Sequence, residues 1–290
     1  MIIKTAYSKY PNILFDELVR SGVIKRFKEP NIFQKLLKKK AFADIFFHSG
    51  TLTNDDIEYI KESKLTITNS FSSMNLILAK TKVSHEKVKV IYPSIVLDYK
   101  KPKELKNSYL EKLNIYENTK LILFRAKNFK NSGVKEFLDI CSNLTYLNFK
   151  IIIVGSKQQL NALEFALVKY PKLDGKILTF DENSCNVDEL FLISDIFLLP
   201  TSTKAFATNI LKAMYCKCVV FLPVNNDAKE IIDVYSSMDS PHDPSTAFKI
   251  DAILYDEKEL KKVKKANKKI ANECSLESNL EKFKDILSKI

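Results

Sequence analysis

Glycine is scarce in this sequence. The 290 residues hold five, where average usage of about 7% would give roughly 20. Tryptophan is absent altogether. Neither G-x-G-x-x-G nor G-x-x-x-x-G-K-[ST] occurs, which excludes the usual glycine-rich phosphate loops. An AT-rich codon supply is the simplest source of the shortage, since it also favours Lys, Asn and Ile. No run of about 18 apolar residues exists, so no transmembrane helix is predicted. The start, Met1 to Tyr7, lacks a signal peptide's apolar core and cleavage site, and a cytoplasmic location is expected. Cys141, Cys185, Cys216, Cys218 and Cys274 include no C-x-x-C pair, as expected of reduced structural thiols. Cys216 and Cys218 have no second pair and no nearby His, so no zinc site is expected there.

What is present is an ordinary apolar content of 46% and a strong basic excess, 46 Lys+Arg against 35 Asp+Glu. The length suits one large domain or two moderate ones. Apolar runs alternate with helical patterns, which predicts an α/β fold with parallel sheets. In the second half the strands read as 121–124, 149–155, 176–180, 195–200 and 218–223, continuous Ile/Leu/Val/Phe runs suited to burial on both faces. Helices are predicted between them at 134–144, 158–169, 187–194, 206–216 and 228–235, giving a Rossmann-like doubly wound unit over 97–255. Residues 1–96 read as a smaller α/β domain, with strands near 2–6, 43–47, 65–69 and 87–92. Its predicted helices lie around 11–27, 31–40, 55–62 and 73–80. The stretch 92–106, with Pro93 and Pro102, reads as a hinge. Residues 256–290 read as a Lys-rich helical segment packing Leu260, Val263, Ile270, Leu280, Phe283 and Leu287 against the body.

Residues 1–96 carry 16 Lys+Arg against 9 Asp+Glu. Within 25–40 seven basic residues face only Glu29, while Ile32, Phe33, Leu36 and Leu37 share one helical face. Such a segment suits an anionic membrane surface, and equally a solvated helix with a core-facing stripe. Nucleic acid is not the expected partner, because no helix-turn-helix, RRM, KH or zinc-finger pattern accompanies the charge.

Six short texts follow one another in a telling order. They are Ile67-Thr68-Asn69-Ser70 with Val90-Ile91-Tyr92-Pro93; Leu121-Ile122-Leu123-Phe124 with Gly133-Val134; Ile151 to Gly155; Glu189 to Pro200; Ala213-Met214-x-Cys216; and Glu230-Ile231-Ile232. In this order and spacing, from about residue 43 onward, the chain resembles the family 4 glycosyltransferases of the two-Rossmann-domain (GT-B) class. The resemblance implies transfer of a sugar, with retention, from a nucleotide sugar to a surface-glycan or lipid-linked acceptor at the inner face of the membrane. It implies no metal or other cofactor. Cationic side chains and helix N-termini then neutralise the departing diphosphate. In the donor loop after residue 124, Lys127 falls at the family's Arg position and Ser132 at its Lys position, with Lys130 close by. The resemblance also assigns His48, after Phe46-Phe47, to the donor sugar, and Glu230 to the cleft wall.

The departures from the family are specific. Its paired glutamates, spaced E-x7-E, fall on Lys204 and Lys212, and no Asp or Glu occurs between Asp195 and Asp227. An ammonium cannot accept hydrogen bonds from ribose hydroxyls as a carboxylate can. Lys204, following Thr201-Ser202-Thr203, would instead sit by the diphosphate together with Thr203. Ser94, Ala126, Ala205, Ala207 and Lys217 occupy places where the family has glycine, and the first domain is about half the usual size. Two readings follow: an active glycosyltransferase with a modified donor site, or an inactive glycosyltransferase-like protein that binds a partner.

Overall fold

The apolar runs form two all-parallel sheets, one in each of two structural units. The computed structural model describes residues 4–28, 41–97, 100–113 and 115–289. Residues 1–96 and 273–290 make the first unit and residues 97–272 the second. The segment 29–40, which carries most of the basic amphipathic pattern, lies outside the described residues.

In the first unit the chain runs β1 (Lys4–Ser8), α1 (Ile13–Arg20), β2 (Ile24–Arg26), β3 (Ile45–His48), α2 (Asn54–Glu62), β4 (Leu65–Thr68), α3 (Phe71–Thr81) and β5 (Val88–Val90). The sheet order is β2-β1-β3-β4-β5. Successive side chains of a strand face opposite ways, so Phe47 joins the core of Phe15, Leu18 and Ile67 while Phe46 joins that of Ile60, Met74 and Ile77. The predicted helix 11–27 is corrected: it stops at Arg20 and the chain enters β2. Gly22 takes φ +72°, and the Gly22 and Val23 N–H groups turn back to the Val19 and Leu18 carbonyls, which closes the helix end.

The second unit holds β6 (Lys120–Arg125), β7 (Phe149–Gly155), β8 (Ile177–Asp181), β9 (Ile196–Leu198), β10 (Val219–Pro223) and β11 (Ser237–Met238), in the order β11-β10-β9-β6-β7-β8. Its helices are α4 (Pro102–Lys112), α5 (Val134–Ser142), α6 (Lys157–Leu167), α7 (Val187–Ile193), α8 (Thr208–Tyr215), α9 (Ser245–Tyr255) and α10 (Glu257–Asn272). Three sequence expectations change here. Pro102, in the predicted hinge, opens α4, where proline's missing N–H costs nothing in the first turn. Residues 228–235 form two short 3-10 turns, each started by a side-chain cap from Asn226 or Asp233. α9 was not predicted at all.

The C-terminal text is shared between the units. Leu260 and Val263 of α10 are buried in the second unit, where α10 packs on α8 and β10. The terminal helix Leu276–Ser288 belongs to the first: Phe283 stacks on Phe47 at 5.7 Å, and the Asn279 amide donates to the Tyr92 carbonyl and Ser94 Oγ, both at 2.9 Å.

Candidate functional site

In the second sheet the chain enters at β6, goes one way to β7 and β8, then returns to β9 on β6's other side and continues outward to β10 and β11. β6 and β9 therefore flank a topological switch point, and open parallel sheets bind ligands outside the C-terminal ends of the strands there. The loops at that end are locked together. Gly133, at φ +80°, lies against Pro200: a Cβ on it would overlap the Pro200 carbonyl oxygen and stand 2.8 Å from the carbonyl carbon. Thr201 Oγ1 donates to the Asn131 carbonyl at 3.2 Å. The buried Asn226 amide donates to the Thr203 and Ala205 carbonyls, both at 3.0 Å, and the Asp227 N–H donates to the Lys204 carbonyl at 2.9 Å.

One arginine organises the electrostatics of this end. Arg125, which ends β6, is the only arginine of residues 97–272 and one of three in the chain. Its Nη1 donates to Asn209 Oδ1 at 2.8 Å, and its Nη2 donates to Glu182 Oε2 at 3.1 Å. Its buried Nε has no hydrogen-bond partner among the described residues. The guanidinium thus links the ends of β6 and β8 to the first turn of α8. Around it the helix N-termini divide into two kinds. α6 is closed by a capping box of Ser156 and Gln159, and α7 by the Asn186 side chain. α5 begins at Gly133 and α8 at Ala207, neither with a side-chain cap. The Val134 N–H of α5 donates to the Phe129 carbonyl at 3.0 Å and the Ile210 N–H of α8 to the Ala207 carbonyl at 3.1 Å, so what these two ends present to an anion is the positive end of the helix dipole.

The candidates from the sequence distribute as follows. Lys127 and Lys130 are exposed on the loop after β6, and the Lys127 carbonyl accepts from Gln159 Nε2 at 3.0 Å. Thr203 and Lys204 are exposed on the loop after β9. These two loops, joined by the contacts above, bring the four residues to one end of the sheet. Glu230 lies half-buried in the 3-10 turn after β10. Lys212 is engaged elsewhere: its Nζ pairs with Asp188 Oδ1 of α7 at 2.6 Å. His48 belongs to the first unit, 5% exposed at the end of β3, beside that sheet's own reversal between β1 and β3. Burial pushes its imidazole below the ordinary range, and Lys9 adds to this. The Asp56 carboxylate and the Gly50 backbone hydrogen bond act the other way.

Sequence reasoning missed Arg125, Glu182, Asn209 and Asp188. A lone arginine at a strand end, in a half that otherwise uses only lysine, is the signal that could have pointed to the first. Cys216 and Cys218 are both buried, and burial pushes the Cys216 thiol up to about 12. No group of three His, Cys, Asp or Glu side chains suited to a metal exists among the described residues. No described helix is long and apolar enough to cross a membrane.

A family model described as glycosyl transferases group 1 matches residues 106–270. Among solved structures, HepE from Anabaena, in complex with UDP and glucose, superposes with a TM-score of 0.74 at 13% identity, covering 98% of this chain and 92% of that one. A glycosyltransferase from Rickettsia africae gives 0.71 at 18% identity, over 97% and 90%. WaaG, a glycosyltransferase of lipopolysaccharide biosynthesis, gives 0.69 at 14%, over 98% and 99%. At these identities the likeness is one of fold. No curated protein matches the chain by sequence.

Proposed function

This chain belongs to the group 1 glycosyl transferases, and on that footing we propose that it moves a sugar from a nucleotide-sugar donor to a glycan or lipid-linked acceptor with retention. The observation that carries the proposal is the meeting, at one switch point, of two uncapped helix N-termini with the Arg125 guanidinium. That arrangement supports the binding of a diphosphate.

The donor diphosphate lies across the N-termini of α5 and α8. Lys127, Lys130 and Lys204 supply mobile cations from the loops, and Thr203 a hydroxyl. Arg125 reaches the diphosphate from below when Glu182 yields to it. As the bond from the sugar's anomeric carbon to the diphosphate oxygen breaks, charge grows on that oxygen, where donors fixed beforehand are worth most. The acceptor hydroxyl attacks from the same face and its proton passes to the departing phosphate oxygen, which balances the reaction without a protein base or a metal. Lys212 and Asp188 neutralise each other and together leave one carboxylate oxygen for the donor's hydroxyls. To His48, kept neutral near pH 7 by burial, we assign a hydrogen bond to substrate, and to Glu230 a place in the wall.

A second reading is an inactive binding protein, favoured by the Lys212–Asp188 pair standing where the family has a lone carboxylate. Titration calorimetry with UDP, GDP and their sugars separates the two. Heat with a nucleotide sugar and release of its nucleotide over time is the expected result. Absence of binding by every nucleotide at millimolar concentration would overturn the transfer reading.

A further inference from the structure

Away from the strand-end loops, the second unit carries an exposed face that its own packing does not account for. α9 turns Phe248, Ala252 and Tyr255 outward, at spacings of four and three that place them on one line of the helix. Phe248 is 72% exposed and Tyr255 65%. The Tyr255 ring meets Tyr146 edge-on at 5.1 Å and its hydroxyl donates to the Thr145 carbonyl at 3.4 Å, and Leu147, the residue after Tyr146, is 80% exposed. Contiguous exposed apolar side chains of this size mark an interaction surface rather than ordinary surface scatter.

At its Tyr255 end the chemistry next to it is cationic; at its Phe248 end Glu136, Asp139 and Asp243 line the neighbouring hollow, Glu136 beside His242 and Asp243 beside Lys249. α10 starts two residues after Tyr255, and Lys258, Lys261, Lys262, Lys265 and Lys269 are exposed on it. At 100° per residue they fall within one arc of about 100°, a stripe about 16 Å long. The helix's other lysines have tasks inside the fold: Lys264 pairs with Asp195 at 2.5 Å, and Lys268 lies over the Tyr215 ring at 4.6 Å. Of the acidic residues, Glu259 answers Lys262 and Glu257 answers Lys120. The Cα atoms of Tyr255 and Lys258 stand at most about 11 Å apart along the chain, so the apolar patch and the lysine stripe adjoin.

We propose that the exposed faces of α9 and α10 together dock the protein on an anionic lipid bilayer, independently of the donor site and of the segment 25–40. A bilayer surface suits both parts. Phe248, Tyr255 and Leu147 enter the headgroup boundary, where aromatic side chains are favoured, and the lysines reach the lipid phosphates on flexible stems. Nucleic acid would engage the lysines but leave Phe248 and Leu147 in water.

The purified full chain is sedimented with phosphatidylcholine vesicles and with vesicles in which a third of the lipid is phosphatidylglycerol. Binding to the second only is expected. Lys261→Gln/Lys265→Gln/Lys269→Gln should lower the partition coefficient about a hundredfold, about fivefold per lysine. Lys157→Gln/Lys169→Gln/Lys172→Gln makes the same charge change on α6 and the turn after it and should leave binding unchanged. Because the chain has no tryptophan, Phe248→Trp reports insertion directly, and its emission should shift to the blue with anionic vesicles. Equal loss in both triple variants, indole emission from the sedimented Phe248→Trp protein that stays at its aqueous wavelength, or retention on duplex DNA without vesicle binding would each overturn the proposal.

Discussion

Gly133 meets the Pro200 carbonyl so closely that any side chain there would collide with it. In a protein with five glycines, this one stands where the loop after β6 crosses the loop after β9. Both the positive φ and the contact require it. Gly155, whose added Cβ would overlap the Phe129 ring, is fixed by packing in the same way. The surviving glycines of this end therefore hold its loops in place. Gly133→Ala should cost about 2–3 kcal/mol, read from urea unfolding, and should weaken nucleotide binding because the start of α5 must move.

Lys217 shows the opposite case, a side chain where glycine would be easier. It has φ +64° and closes α8: its N–H reaches the Met214 carbonyl and that of Cys218 the Ala213 carbonyl. That is the doubly bonded helix end whose left-handed residue is usually glycine. Lys217→Gly should raise stability by about 0.5–1 kcal/mol, part of the relieved strain being offset by glycine's freedom in the unfolded chain. For a chain of this size the melting temperature should rise by about 1–4 °C, with nucleotide binding unchanged.

Arg125 is shared between Glu182 and Asn209, and a bound diphosphate would compete with the Glu182 carboxylate for the same guanidinium. Glu182→Gln removes the competitor's charge and should tighten UDP binding about three- to tenfold in calorimetry. Arg125→Ala should weaken it at least about tenfold, and Arg125→Lys should not restore it, because one ammonium cannot span both partners. Weaker binding by the Glu182→Gln protein would show that the carboxylate supports the ligand instead of excluding it.

His48 offers a test in the first unit. Burial holds its imidazole below the usual value, so the unfolded chain takes up the proton first as pH falls. Its contribution to stability is complete above about pH 6.5 and declines as pH falls below that. His48→Gln should flatten the urea-unfolding stability across that interval. If His48 also bonds substrate, the variant should lose turnover while retaining UDP affinity.

What the sequence disclosed follows from where the information lies. β6, β7 and β10 were readable because strands buried on both faces leave unbroken apolar text, as in Leu121 to Phe124 and Ile151 to Val154. The switch point between β6 and β9 came only with the sheet order of the structure. α9 escaped because it buries Thr246 and Asp251 and exposes Phe248, which reverses the polarity that helical periodicity relies on. Asp251 is satisfied by the Thr145 and Tyr146 backbone, over a hundred residues away in sequence. The Arg125 network is equally non-local, with partners 57 and 84 residues distant, so only its unusual residue type was visible beforehand.

Asp195 gives the sharpest dependence on pH. It sits at the start of β9, buried, and accepts from the Leu121 N–H at 3.0 Å, from Lys264 at 2.5 Å and from Lys106 at 3.2 Å, joining α4 and α10 to the sheet. Burial by itself would push its carboxyl upward. The two ammonium groups and the backbone N–H outweigh burial and hold it at about 2. A carboxylate whose folded pKa lies below its ordinary 3.8 contributes stability that is complete above that value and is lost as pH falls toward about 2. The contribution is about 2 kcal/mol. Asp195→Asn should cost more than that at neutral pH, about 3–5 kcal/mol, because Lys106 and Lys264 are left half-buried without their counter-ion. Urea unfolding across the acid range checks both points. The gap between the natural protein and Asp195→Asn should narrow from about pH 4 downward, and replacing Lys264 with Met in the variant should recover part of the loss. A gap that stays constant to the lowest pH would mean that the carboxylate's charge is not what binds α4 and α10 to the sheet.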